Sequence, residues 1–133
     1  MIHLIPLHQI DAVWPLVAPG MAKAAIRAHS NRSVAELFVD CRCGTKLLYI
    51  IEHDGRAEAA LIARVVGDLM IWVAICKIEG APARIREWMR DLVDYDWRGK
   101  LGVTRIHGDG RIGFVRVTPR VKVIRQVYEL RLD

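Results

Sequence analysis

Cysteine is scarce in this chain: only Cys41, Cys43 and Cys76. An odd count, with two of the three in a Cys-Arg-Cys triplet, makes no disulfide framework and points to a reducing compartment. Zinc needs four ligands in a compact set. The nearest histidine to Cys41 and Cys43 is His53, and no second pair follows, so no metal site is expected. Long apolar runs are missing too. The longest, Leu69–Cys76, is strand-sized, well short of the roughly 18–20 residues of a membrane span. Met1–Pro6 lacks a basic stretch followed by a long apolar one, so no secretory leader is expected. Aromatic residues are only 7% of the chain, and internal repeats and low-complexity tracts are absent.

What is present suits one globular domain over residues 1–133. Of the residues, 53% are hydrophobic and 26% charged, and the mean hydropathy is +0.18. A chain this long builds a core without staples. The net charge of +5 is unevenly placed. Residues 1–97 hold 11 Lys+Arg and 12 Asp+Glu, whereas residues 98–133 hold 9 and 3. The basic character belongs to the last third, where Arg111, Arg116, Arg120, Lys122, Arg125 and Arg131 form a candidate basic surface. Only Phe114 and Tyr128 accompany them among aromatics, too few for a base-stacking single-strand binder.

Local signals order the chain. Residues 2–7 suit a short strand. Asp11 is placed to cap a helix carrying Val13, Leu16, Val17, Met21, Ala24, Ala25 and Ala28, which Pro19-Gly20 should kink. Ser33-Val34-Ala35-Glu36 is a capping box for a second helix reaching about Cys43. The period then drops to two. Lys46–Glu52, Glu58–Val66 and Leu69–Ile78 read as an antiparallel meander, with Asp54-Gly55 and Gly67-Asp68 as its turns. Pro82 suits the first turn of the next helix. There Ile85, Trp88, Met89, Leu92, Val93 and Trp97 make one apolar stripe. Val103–His107 is a short strand, Gly110–Val117 a possible helix, and Val121–Leu132 a final strand. The order is β-α-α-β-β-β-α-β-α-β, an α/β chain with a mixed, mostly antiparallel sheet and helices on both faces.

This order resembles the GCN5-related N-acetyltransferase (GNAT) fold. The local wording is similar to small GNAT-like proteins of tailed bacteriophages. The echoes are Ile10-Asp11-Ala12-Val13-Trp14-Pro15, Ser33-Val34-Ala35-Glu36-Leu37, Trp72-Val73 and Gly110-Arg111-Ile112-Gly113-Phe114. They span nearly the whole chain.

The resemblance implies an acetyl-CoA pyrophosphate site where the fourth strand meets the crossover helix. Its residues here would be Lys77, Gly80 and Ala81. The family pattern is Arg or Gln, two residues, Gly, one residue, then Gly or Ala. This chain reads Lys77-Ile78-Glu79-Gly80-Ala81-Pro82. Pro82 removes an amide donor, and Glu79 sets a carboxylate beside the intended anion. The tyrosine that family enzymes use to protonate CoA thiolate has no counterpart in Gly110–Val117, and Tyr128 lies beyond it. Glu58 and Glu79 are the carboxylates near the implied cleft. Glu58 is the candidate base, although a solvated strand residue is the simpler expectation for it.

The functional expectation is a phage GNAT-fold protein with a degraded acyl-CoA site, acting as a virion-associated or assembly module that binds proteins. It would reside in the virion or host cytoplasm, away from membranes. The alternatives are an active acetyl-CoA-dependent N-acetyltransferase, with acetyl-CoA as cofactor, and nucleic-acid binding through the basic last third.

Overall fold

The computed structural model describes residues 1–27 and 33–108. The expected helix Gly110–Val117, the final strand Val121–Leu132 and all six residues of the candidate basic surface lie outside them.

Strand β1 is Ile2–Leu4, followed by a single 3-10 turn at Leu7–Gln9. Helix α1 spans Ile10–Arg27 and α2 spans Val34–Arg42. Strands β2, β3 and β4 span Leu47–His53, Arg56–Val66 and Leu69–Lys77. Helix α3 (Ile85–Asp94), helix α4 (Trp97–Leu101) and strand β5 (Arg105–Gly108) complete the described elements. The strands form one sheet in the order β1-β2-β3-β4-β5. Every pairing is antiparallel except β4 with β5, which is parallel. The mixed, mostly antiparallel sheet is therefore as the sequence predicts.

Local chemistry sets the joints. Ser33 Oγ accepts the Glu36 amide at 3.1 Å and starts α2, as the capping box requires. Asp54 at φ 51° and Gly55 at φ 76° give the two left-handed residues of a type I′ hairpin. The strand β5 is docked by Asp68 of the β3–β4 turn. Its carbonyl accepts the Thr104 and Arg105 amides at 2.8 and 3.3 Å. Its carboxylate takes the Thr104 hydroxyl and the Arg105 guanidinium. Those two contacts, the hydroxyl first, hold the Asp68 carboxyl below its ordinary pKa.

Each sheet face carries its own core. On one face, Leu48, Ile50, Ala60, Ile62 and Cys76 meet Ile10, Val17 and Met21 of α1 and Leu37 and Cys41 of α2. On the other, Tyr49, Ile51, Ala59, Leu61, Ala63 and Met70 meet Trp88, Met89 and Leu92 of α3 and Trp97 of α4. The period-two alternation along β2 sorts its residues between these two cores.

Two expectations are corrected, the Asp11 cap and the single crossover helix. Helix α1 stays helical through Pro19-Gly20. Gly20 serves packing there: a Cβ on it would lie 2.8 Å from Cys76 Sγ and press on the Lys77 carbonyl, so its absence lets α1 close on the end of β4. Asp11 lies inside the first turn of α1, paired with Arg42 at 3.1 Å, and does not cap the helix. The long crossover helix is two helices. Pro82 precedes α3, which ends at Asp94, and Asp96 restarts the chain by accepting the Gly99 amide at 2.8 Å. That break lets Trp97 turn back under the sheet.

Candidate functional site

The segment joining β4 to α3 holds the residues implicated by the sequence. Lys77 is the last residue of β4 and is exposed. Ile78 to Ala81 form a tight turn: the Ala81 amide donates to the Ile78 carbonyl at 3.1 Å. Gly80 occupies the third position at φ 82°, the type II pattern, which disfavours any side chain there. Lys77 Nζ reaches over and donates to the Ala81 carbonyl at 2.7 Å. Pro82 follows with no amide proton. Lys77, Gly80 and Ala81 thus come together, bonded largely to one another. A Cβ on Gly80 would meet nothing within 4 Å, so the positive φ and not crowding favours glycine there. Helix α3 begins just beyond, with Arg84 at its N-cap and no side-chain cap.

Glu58 is not a solvated strand residue. It is 4% exposed, the one acidic side chain among the described buried residues. The cause is a β-bulge. Ile51 pairs with Ala59 but Glu52 pairs with Ala57, leaving Glu58 as the extra residue of β3. The bulge shifts the alternation by one and turns Glu58 towards α3. There its Oε2 accepts the Trp88 indole N–H at 3.0 Å. Arg84 Nε lies 3.2 Å from Oε1, as an ion pair outside aligned hydrogen-bond geometry. The Glu58 carbonyl also accepts the Ile78 amide at 2.8 Å, tying the bulge to the end of β4. A carboxylate taken from water needs such partners. Both of its oxygens are engaged, so as a base it would first have to give up a contact.

In the sequence Trp88 belongs to the apolar stripe and Arg84 lies outside it, and neither is marked as a partner of Glu58. A signal was present: Glu58 interrupts a run of alanines and aliphatics in a central strand, and Arg84 and Trp88 share one helix face at spacing i, i+4.

A second bulge lies in β4. Ile62 pairs with Ala74 and Ala63 with Trp72, so Val73 is extra. Among the described residues, β5 pairs with Leu69–Trp72, and Val73, Ala74 and Ile75 are half-buried.

The remaining candidates carry less chemistry. Burial pushes the Cys41 and Cys76 thiols up to about 11, which suppresses the nucleophilic thiolate. Among the described residues, no group of His, Cys, Asp and Glu is arranged to hold a metal. His3 pairs with Glu52 and His53 with Asp54 near the surface. Tyr95 is half-buried against Trp97, with Lys100 4.3 Å above its ring. No described helix is long and apolar enough to cross a membrane.

No protein-family model matches the sequence, and no curated protein sequence matches it. Solved structures do share its fold. A ribosomal-protein-alanine N-acetyltransferase from Brucella melitensis biovar Abortus 2308 superposes with a TM-score of 0.64 at 12% identity, over 99% of both chains. A probable acetyltransferase gives 0.65 at 15% identity, over 100% of this chain and 99% of that one. An aminoglycoside N-acetyltransferase in complex with CoA gives 0.60 at 12% identity, over 98% and 93%. These likenesses span the chain, and they show that its fold is that of the GNAT acetyltransferases.

Proposed function

We propose that this chain is a GNAT-fold module with a degraded acyl-CoA site, which works by binding other proteins as a phage virion or assembly component. One observation carries the reading: the Ala81 amide is closed onto the Ile78 carbonyl, and Pro82 follows it. A pyrophosphate cradle needs successive amides pointing outward. Here one is committed to a turn and the next is missing. Glu79 is exposed beside them and repels an anion. The phage assignment rests on the sequence resemblance alone.

Titration calorimetry with acetyl-CoA tests the site. No saturation is expected up to millimolar concentration; sub-millimolar saturation overturns the degraded-site reading. The partner reading expects the protein to co-sediment with purified particles from infected cells, and a lone monomer absent from them counts against it.

A second reading, an acetyl-CoA-dependent N-acetyltransferase, is favoured by the bulge at Val73 and the half-buried strand beyond it. That stretch of β4 is a place where a backbone amide could meet a thioester carbonyl. The fold relatives, one of them holding CoA, agree with it. Nucleic-acid binding through Arg111, Arg116, Arg120, Lys122, Arg125 and Arg131 stays a third proposal. It would show as an affinity that falls steeply with salt.

A further inference from the structure

Two cations flank the β4–α3 segment, and both are engaged within the chain. Lys77 sits on the Ala81 carbonyl, a neutral acceptor. Arg84 sits on Glu58, a charged one. The second contact is unusual. A buried carboxylate in a central strand is costly to keep, and this one is kept at a bulge that also bends the ladder. Trp88 already supplies an aligned hydrogen bond to its Oε2. The Arg84 contact is off-axis, and the Arg84 side chain is 42% exposed. It adds charge balance rather than hydrogen-bond geometry.

We propose that Glu58 is an internal counter-ion that silences the β4–α3 segment towards anions by neutralising Arg84. This deepens the degraded-site reading and rests on it. An unmatched guanidinium at the mouth of α3 would draw diphosphate groups to the segment. With a carboxylate 3.2 Å away, that local field is cancelled before a ligand arrives. The exposed Glu79 acts in the same direction from the turn. The contact is therefore autoinhibitory: an anion must compete with Glu58 for Arg84, and Glu58 cannot leave because the bulge and Trp88 hold it.

The test is Glu58→Gln, read by calorimetry with inorganic pyrophosphate and with acetyl-CoA at low salt. The amide still accepts from Trp88 but no longer neutralises Arg84. Binding about tenfold tighter than in the wild type is expected, as for one charged contact regained. The gain should shrink as salt rises. It should vanish in Glu58→Gln/Arg84→Ala, a readout that a merely structural Glu58 would not move. No gain in a folded Glu58→Gln protein overturns the proposal, as does a gain that survives loss of Arg84. Should the Gln variant fail to fold, Glu58→Asp withdraws the carboxylate by one methylene; a smaller gain is expected, and none overturns the proposal. The two readings fail separately. Wild-type binding of acetyl-CoA below millimolar sinks the degraded site, whereas an unresponsive Glu58→Gln with a non-binding wild type sinks only the counter-ion.

Discussion

The two faces of the sheet are built on different principles. The face under α1 and α2 is mainly aliphatic, lined by Leu48, Ile50, Ala60, Ile62 and Met21, with Cys41 and Cys76 among them and the Trp14–Phe38 pair packed against it. Its closest approach is Gly20 against the end of β4. The face under α3 and α4 mixes aromatic rings with polar atoms. Trp97 meets Tyr49 at 5.8 Å, Trp72 at 6.1 Å and Tyr95 at 5.1 Å between ring centroids. Trp88 binds the buried Glu58. Aliphatic packing dominates the first face, whereas the second adds a cluster of ring contacts and the buried Glu58–Trp88 hydrogen bond of the candidate site.

The largest expected effect breaks the aromatic face. Trp97→Ala removes a side chain 2% exposed and leaves a cavity between three rings. A loss of about 3–5 kcal/mol in denaturant unfolding is expected. A loss under about 1 kcal/mol would mean that α4 does not anchor this face.

A smaller effect probes the aliphatic face. Gly20→Ala places a methyl against the Cys76 thiol and the Lys77 carbonyl, and backbone cannot yield as a flexible side chain does. Overpacking costs about 1–3 kcal/mol. Alanine returns up to about 1 kcal/mol of helix propensity. A net destabilisation is expected by thermal unfolding, and a stabilised variant would place α1 further from β4.

The smallest effect is chemical. At pH 8, iodoacetamide should label the exposed Cys43 and spare Cys41 and Cys76 until the protein unfolds. Burial raises both of the buried thiols to about 11, from an ordinary value near 9.0. A folded pKa above the unfolded one stabilises the protein below the unfolded pKa. That contribution is lost as pH rises from about 9 through about 11. Equal labelling of all three cysteines in native protein would contradict a tight aliphatic face.

Much of the fold was legible because it is set within a few residues. The Ser33 cap, the Asp54-Gly55 hairpin and the meander need only neighbours along the chain. The candidate site was half legible. Lys77, Gly80 and Ala81 are adjacent in sequence and are adjacent in space. The role of Glu58 was not legible, because a bulge depends on the register of β2 against β3, and a one-residue shift reverses a side chain's direction.

Among the described residues, the sequence by itself determined the meander, its turns and the order of strands and helices through β5, since propensity, capping and φ preference act locally. Tertiary structure decided three things. It brought α1 onto the end of β4 at Gly20, because that approach leaves no room for a Cβ. It split the crossover helix at Tyr95-Asp96, so that Trp97 reaches the sheet. It buried Glu58 against Arg84 and Trp88, because a charge withdrawn from water must find its partners across the fold.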